Sequence, residues 1–298
     1  MTLTPPSEAD VLEMLSAWGQ AREAVRAVLL TSSRSTPAAP VDPLSDYDVI
    51  YFVTDNTPFY ADDSWLHDFG PLLVVYRDAL SPWHGFAKFA RITQYEQVKI
   101  DFTICPVAVL EAIISTAREG GRLEEDLDLG YQVLVDKDGL AAQLPPPTYQ
   151  AYIPAPPSAA AYGEVVELFY HEATYCAKNL WRKDLLPVKY FLDYAMKQSN
   201  LRRMLEWRME IDHGWAVKTG VLGRGLLRRL PSELGDALAA TYTGPDLADN
   251  WAAFYRTIDL FQRVASQVGE QLGFAFPEDL HRRCLDYFHR VERLPVDA

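Results

Sequence analysis

Two patterns of apolar and polar residues divide this chain. In the first half, apolar residues form short runs bounded by Gly, Pro, Asp and Ser, which is typical of buried strands. Helices are predicted to begin at Ser7 and at Val107, where apolar residues recur at helical spacing. Strands are predicted at 25–30, 46–54, 71–78, 98–105 and 131–136, the fourth as the second arm of a hairpin.

The second half has a helical pattern almost throughout. It follows a stretch at 144–160 with six prolines among 17 residues, which excludes regular structure and favours a domain boundary. Helices are predicted at 162–181, 184–198, 200–211, 223–240, 249–271 and 277–292. We therefore predict an α+β protein: a domain at 1–148 with a mixed β-sheet flanked by helices, and a helical bundle at 149–298 that contributes to a substrate cleft.

Composition and charge narrow the class of partner. The formal net charge of −13 argues against a nucleic-acid partner and suits a cationic one, although acidic solubility alone gives the same value. The three cysteines lack metal-site spacing and fit a reducing compartment. Because the sequence shows neither a signal peptide nor a stretch of membrane-spanning length, we expect a cytoplasmic protein that does not bind membranes.

Two aspartates begin the predicted strand at 46–54. Asp46 and Asp48 are two positions apart, so their carboxylates project to the same side of the strand and repel each other. A third carboxylate, Asp101, begins another apolar strand. If the two strands are neighbours, the three carboxylates meet and could bind Mg²⁺, as phosphoryl-transfer sites require. A lone Asp-x-Asp is more often a solvated strand end, and the third aspartate is what favours the functional interpretation.

A serine-rich turn lies upstream of these aspartates. The strand at 25–30 runs into Ser32, Ser33 and Arg34, where backbone N–H groups, hydroxyls and a guanidinium could bind phosphate. This turn is weak evidence alone. Its position twelve residues before Asp46 predicts that the turn and the aspartates lie side by side.

Nearly the whole chain carries, in order, the segments AVLLTSSRSTP, DYDVIYFVTD, VKIDFTICP, YCAKNLWRKDLLPVKYFLD and MLEWRMEI. In these segments it resembles the streptomycin (aminoglycoside 6-) adenylyltransferases of the DNA polymerase β-like nucleotidyltransferase superfamily. The resemblance implies Mg²⁺-dependent transfer of AMP from ATP to a hydroxyl of streptomycin, the 6-hydroxyl, with release of pyrophosphate and resistance to the antibiotic. The family has glycine where this chain has Ser32, and glycine suits close backbone approach or a positive φ.

The predicted helix at 162–181 has an apolar face and a polar stripe. Glu172 lies in the middle of the apolar face, so it faces a cleft, forms a buried ion pair, or lies beside the true apolar face if that face is displaced by one residue. The apolar face comprises Val165, Leu168, Phe169 and Cys176, and the polar stripe comprises Glu167, His171, Tyr175, Lys178 and Arg182. The resemblance favours Lys178 as a triphosphate contact. We assign Lys178 and Arg182 to the nucleotide, and Glu172 and Tyr175 to the substrate.

Some choices remain open from the sequence. The base that takes the substrate proton is either Asp101 or Glu172. The chain could instead modify another small antibiotic or a protein hydroxyl, or bind nucleotide without turnover. The segment GVLGRGLLRR follows no strand and is predicted to start a helix with a basic face of Arg224, Arg228 and Arg229 rather than a P-loop. The oligomeric state is undetermined, with a monomer favoured.

Overall fold

Seven strands form one mixed sheet in the first part of the chain. A computed structural model describes residues 5–37, 39, 41–120, 122–151 and 153–295. The chain divides into two units, Met1–Tyr152 and Ile153–Ala298. The strands are β1 Val25–Thr31, β2 Tyr47–Val53, β3 Leu72–Arg77, β4 Ser81–Trp83, β5 Phe86–Tyr95, β6 Lys99–Pro106 and β7 Tyr131–Asp136.

The sheet has the order β3-β5-β6-β2-β1-β7, and β4 pairs with β5. Strands β2 and β6 are parallel, while the other pairings are antiparallel. Because side chains alternate along a strand, the central strand β2 supplies residues to two cores. Tyr51 belongs to the core under helix α1 Glu8–Ala21, and Phe52 belongs to the core under α3 Val107–Arg118.

The helices of this unit begin and end for local reasons. The hydroxyl of Ser7 accepts the N–H of Asp10, whose carboxylate accepts the N–H of Ser7, so a capping box starts α1 at the position predicted from the sequence. The face of α1 with Val11, Leu15 and Trp18 is buried against the sheet. Short helices α2 and α4 span Thr57–Ala61 and Glu125–Asp128.

The second unit is helical. Its buried side chains form one core of aliphatic and aromatic residues. Its helices are α5 Ala159–Trp181, α6 Leu185–Lys189, a π-helical segment Tyr190–Leu201, α7 Arg202–Asp212, α8 Ser232–Ala239, α9 Leu247–Leu272 and α10 Glu278–Glu292. None of the helices in the described ranges has both the length and the apolar character needed to cross a membrane.

One predicted helix is wrong over its first half. Helix α8 begins only at Ser232, so the basic residues predicted to form a helical face precede it. Leu222, Gly223 and Gly225 have φ values of 56°, 80° and 84°, which a right-handed helix does not accommodate. A Cβ atom at Gly223 would lie 2.9 Å from the side chain of Arg202. Close packing of this loop on α7 therefore competes with helix formation.

Candidate active site

Three aspartates lie at the end of the sheet where β2 and β6 begin. Asp48 and Asp101 are directly paired in the parallel register of the two strands. Asp46 precedes Asp48 by two positions, and the backbone of these residues runs into β2. From the sequence we expect these carboxylates to meet if their strands are neighbours. The pairing of β2 with β6 shows that the strands are neighbours. We call Asp46, Asp48 and Asp101 the aspartate cluster.

A lysine lies within this cluster. The Nζ of Lys99 is 2.6 Å from Oδ2 of Asp46 and 2.6 Å from Oδ2 of Asp101. Lys99 begins β6 two positions before Asp101, so both side chains project from the same face. Sequence reasoning missed this residue, although the spacing of two that joins Asp46 to Asp48 also joins Lys99 to Asp101.

Burial and like charge make the cluster electrostatically costly. The pKa of Asp48 is raised to about 6. Burial is the largest cause, and the negative charges of Asp101 and Asp46 add to it. Burial also raises the pKa of Asp101, against the opposing effect of Lys99. Burial lowers the pKa of Lys99, but its bonds to the two carboxylates outweigh burial and raise the value, which keeps the ammonium charged. One ammonium thus offsets part of the repulsion among three carboxylates.

The serine turn lies next to the cluster. The turn Ser32–Ser35 follows β1 directly, and Thr31 at the end of β1 pairs with Asp48. The side chain of Ser32 opposes the rise of the Asp48 pKa, because its hydroxyl is a potential donor to that carboxylate. Ser32 has a φ of 64°, a left-handed conformation that glycine adopts without strain. The residue at the family's glycine position therefore has a glycine-like backbone and a side chain that reaches the cluster.

Arg34 contacts protein rather than open solvent. Its guanidinium donates to the carbonyl oxygens of Ser45 at 2.7 Å and Asp46 at 3.0 Å. It also lies 3.7 Å from the ring centroid of Tyr47, and its side chain is 5% exposed. These contacts tie the serine turn to the segment that carries Asp46 and Asp48. Its assignment to a nucleotide phosphate stays a prediction, as do those of Ser32 and Ser33.

The oxygen donors of the cluster suit a hard cation. Oδ1 of Asp101 is buried and makes no hydrogen bond of good geometry among the described residues, so it could accept a further ligand. No group of three or more His, Cys, Asp or Glu side chains in the described ranges is arranged around a common metal position. Mg²⁺ commonly uses only one or two protein carboxylates together with substrate phosphates. The donor chemistry therefore fits a cation that arrives with a nucleotide.

The other predicted site residues lie on α5, in the second unit. Glu172 is half-buried, whereas Tyr175 is 40% exposed and its ring stacks on Phe191 at 5.1 Å. The Nζ of Lys178 lies 5.0 Å from the Tyr175 ring centroid, and Arg182 is exposed at the C-terminal end of the helix. These residues form an accessible polar surface, and their assignments to nucleotide and substrate stay predictions.

The predicted apolar face of α5 needs one correction. Leu168 was expected in the core but is 43% exposed, while Tyr170 and Ala173 are buried. The buried stripe is rotated from the predicted one because Tyr170 packs against Phe261 and bonds to His281. Tertiary partners from distant helices therefore decide which side of α5 is covered.

A mixed sheet that places paired aspartates beside a serine turn is the arrangement expected of an adenylyltransferase. The family model of streptomycin adenylyltransferases matches residues 6–291, and the chain therefore belongs to that family. The match confirms the resemblance drawn from the sequence, and the mixed sheet and the helices described above confirm the α+β fold class.

Several relatives cover the chain almost completely. It is 28% identical to an aminoglycoside 6-adenylyltransferase of Campylobacter jejuni over 91% of each chain. It is 26% identical to a protein of the same name from Bacillus subtilis, over 91% of this chain and 93% of the relative. The crystal structure of an aminoglycoside 6-adenyltransferase from Bacillus subtilis aligns with a TM-score of 0.47 and 22% identity, covering 97% of this chain and 100% of that one.

Proposed function

We propose that this protein transfers AMP from ATP to a hydroxyl of an aminoglycoside, the 6-hydroxyl of streptomycin, and releases pyrophosphate. The observation that carries the proposal is the register pairing of Asp48 with Asp101, which assembles the aspartate cluster beside the turn at Ser32. The names of the relatives support the aminoglycoside as substrate. Modification of the drug would make its host resistant.

The reaction forms one bond and breaks another at the α-phosphorus. The substrate oxygen attacks in line, the bond to the pyrophosphate oxygen breaks, and the hydroxyl proton passes to a carboxylate base. The aspartate cluster would hold Mg²⁺, which when bound neutralises phosphate charge. Ser32 and Ser33 would hold the phosphates through their N–H and hydroxyl groups, and Arg34, which ties the turn to the segment of Asp46, would supply a positive charge beside the phosphates.

Two carboxylates are candidates for the base. Asp101 belongs to the cluster, and its raised pKa suits a group that accepts a proton in the reaction. Glu172 is the alternative, on the accessible surface of α5. Lys178 and Arg182 would neutralise the leaving pyrophosphate, and Tyr175 would contact the sugar rings. We propose a cationic small molecule as the partner, not nucleic acid, since the net charge is −13, and we place the reaction in the cytoplasm, where ATP is available.

A mass-shift assay tests the proposed function. The purified protein is incubated with ATP, Mg²⁺ and a panel of aminoglycosides, and each drug is examined for the gain of one AMP group. We expect streptomycin to gain it, with NMR placing the group on the 6-hydroxyl. The Asp46→Asn variant, prepared in parallel, controls for contaminating enzymes. ATP binding without any modified drug would contradict the proposal and favour another acceptor or a protein that binds nucleotide without turnover.

A further inference from the structure

Lys99 takes the position of a cation within the aspartate cluster. Its ammonium is equidistant, at 2.6 Å, from a carboxylate oxygen of Asp46 and one of Asp101. In two-metal phosphoryl-transfer sites, carboxylates hold two divalent ions about 3.5–4 Å apart. Here a fixed positive charge of the chain already lies between two of the three carboxylates.

The ammonium and a metal ion cannot share this position. Mg²⁺ lies about 2.0–2.1 Å from its oxygen ligands. An ion that contacted the same Oδ2 atoms of Asp46 and Asp101 would therefore overlap the Nζ of Lys99. The Lys99 side chain is only 30% exposed and that of Asp101 15%, so the pair is partly shielded from solvent. Salt bridges of this kind are screened less than surface pairs.

The remaining acceptors suffice for one ion. Oδ1 of Asp101 is buried and makes no hydrogen bond of good geometry among the described residues, and Asp48 is its neighbour in the register. Two protein carboxylates with substrate phosphates are a common ligand set for Mg²⁺. The geometry thus divides the cluster between Lys99 on one side and one divalent ion on the other.

We propose that Lys99 replaces the second metal ion of this site, so that the protein binds nucleotide with a single divalent cation. This inference rests on the proposed function, since the ion accompanies the nucleotide. Lys99 is then a positioning residue: it holds Asp46 and Asp101 together and neutralises the charge that a second ion would otherwise neutralise.

Counting bound Mn²⁺ tests this inference. Mn²⁺ has ligand preferences similar to those of Mg²⁺, and free Mn²⁺ is quantified by electron paramagnetic resonance. The full-length protein is titrated with Mn²⁺ in the presence of α,β-methylene-ATP, which cannot transfer AMP. We expect a single Mn²⁺ per wild-type chain. In Lys99→Met, which keeps the unbranched stem and loses the charge, we expect twice as much bound Mn²⁺.

Matched variants separate this role from a structural one. Lys99→Arg keeps a positive charge and should keep the single ion. Lys88→Met removes an ammonium that lies 4.8 Å from the Trp83 ring centroid on the neighbouring strand, and it should leave the count unchanged. Circular dichroism verifies that each variant is folded. Should Lys99→Met fail to fold, Lys99→Gln, which also lacks the charge, takes its place in the count, and two ions in the wild type would overturn the inference by themselves.

The outcomes distinguish this inference from the proposed function. Two ions per wild-type chain, or a single ion in folded Lys99→Met, would overturn the role of Lys99 and leave adenylyl transfer intact. A single ion that doubles in Lys99→Met, with no drug modified in the mass-shift assay, would support the role of Lys99 and overturn the aminoglycoside as substrate. Absence of nucleotide-dependent Mn²⁺ binding would overturn both.

Discussion

In the sheet unit one lysine bonds to two carboxylates of a cluster of three, whereas in the helical unit one aspartate bonds to two lysines. Asp193 accepts from Lys189 at 2.6 Å and from Lys197 at 2.7 Å. Lys197 is 1% exposed and donates further to the carbonyl oxygen of Thr241. Asp193 thus has more positive than negative charge around it. The aspartate cluster has the opposite balance, with the ammonium of Lys99 as its shared partner.

The two regions differ in whether the negative charge of the carboxylates is compensated by neighbouring groups of the protein. A buried charge is tolerated when partners compensate for its lost hydration. Lys189 and Lys197 provide this compensation for Asp193. The aspartate cluster lacks such compensation, since the pKa of Asp48 is raised to about 6 and Oδ1 of Asp101 makes no hydrogen bond of good geometry among the described residues. The missing compensation is positive charge, which a divalent cation with its nucleotide would supply.

The largest expected effect is the loss of activity when the cluster is neutralised. Asp48→Asn should lower AMP transfer by at least about 10²-fold, because an amide is a poor ligand for a hard cation. The metal-free variant should be as stable as the wild type or more so, because one of three repelling charges is gone. Steady-state kinetics and urea unfolding measure the two effects.

Asp55→Asn is the matched control for this prediction. Asp55 lies just beyond β2, where its carboxylate accepts the backbone N–H of Thr57 at 2.9 Å. This variant should retain wild-type turnover. If Asp48→Asn also retained wild-type turnover, the aspartate cluster would have no part in catalysis. Its difference in charge from the surroundings of Asp193 would then be unrelated to function.

A second expected effect lies in the helical unit and concerns pH. Burial, followed by the neighbouring Glu206, raises the pKa of Glu210 to about 7, while Arg203 opposes the rise. Glu206 itself is paired with Arg202 at 2.7 Å and accepts from Thr219 at 2.9 Å. Among the described acidic residues of this unit, Glu210 is therefore the one whose burial is compensated least by its neighbours.

The sign of the pH effect follows from the raised pKa. Folded Glu210 binds a proton more tightly than the unfolded residue, so its favourable contribution is complete below about pH 4.5 and is lost as pH rises towards 7. Glu210→Gln should remove this loss and raise the free energy of unfolding at pH 8 by roughly 1–3 kcal/mol. Urea unfolding at pH 5 and pH 8 measures it.

A control residue on α9 sharpens the result. Glu270 is exposed, and Glu270→Gln should leave the pH dependence of stability unchanged. If the free energy of unfolding depended on pH equally in Glu210→Gln and the wild type, neighbouring groups would compensate for the burial of the Glu210 carboxylate. The helical unit would then contain no acidic group comparable to the aspartate cluster.

Much of the site could be predicted because it depends on strand periodicity. The same-side rule placed Asp46 with Asp48, and the apolar runs around Asp101 predicted a neighbouring strand. The same rule applies to Lys99, but a lysine at a strand start is usually solvated, so nothing in the sequence pattern singles it out. Its role depends on the β2–β6 register, which single-strand patterns do not contain.

The features that could not be predicted depend on tertiary partners. The turn around Gly223 has a helical sequence pattern, yet packing against Arg202 fixes its backbone in a left-handed conformation. Arg34 donates to the carbonyl oxygens of Ser45 and Asp46, contacts that the sequence does not indicate, and its assignment to a nucleotide phosphate stays a prediction. At Gly223 a contact between distant segments overrides the local helical preference.

The smallest expected effect tests the serine turn. Ser32 has a φ of 64°, which costs a non-glycine residue about 1 kcal/mol, so Ser32→Gly should relieve strain at that position. The glycine also adds freedom to the unfolded chain, which offsets part of the gain. We expect a net stabilisation of less than about 1 kcal/mol, and binding of α,β-methylene-ATP, measured by calorimetry, that is equal to or tighter than that of the wild type.

Ser32→Ala separates the two contributions of this residue, because it keeps the Cβ atom and loses the hydroxyl that opposes the rise of the Asp48 pKa. If backbone strain dominates, Ser32→Ala should be less stable than Ser32→Gly in urea unfolding. A large loss of nucleotide affinity in both variants would instead identify the hydroxyl as a ligand. In that event the serine at the glycine position would be part of the site, and the aspartate cluster would depend on a third compensating group besides Lys99 and the cation.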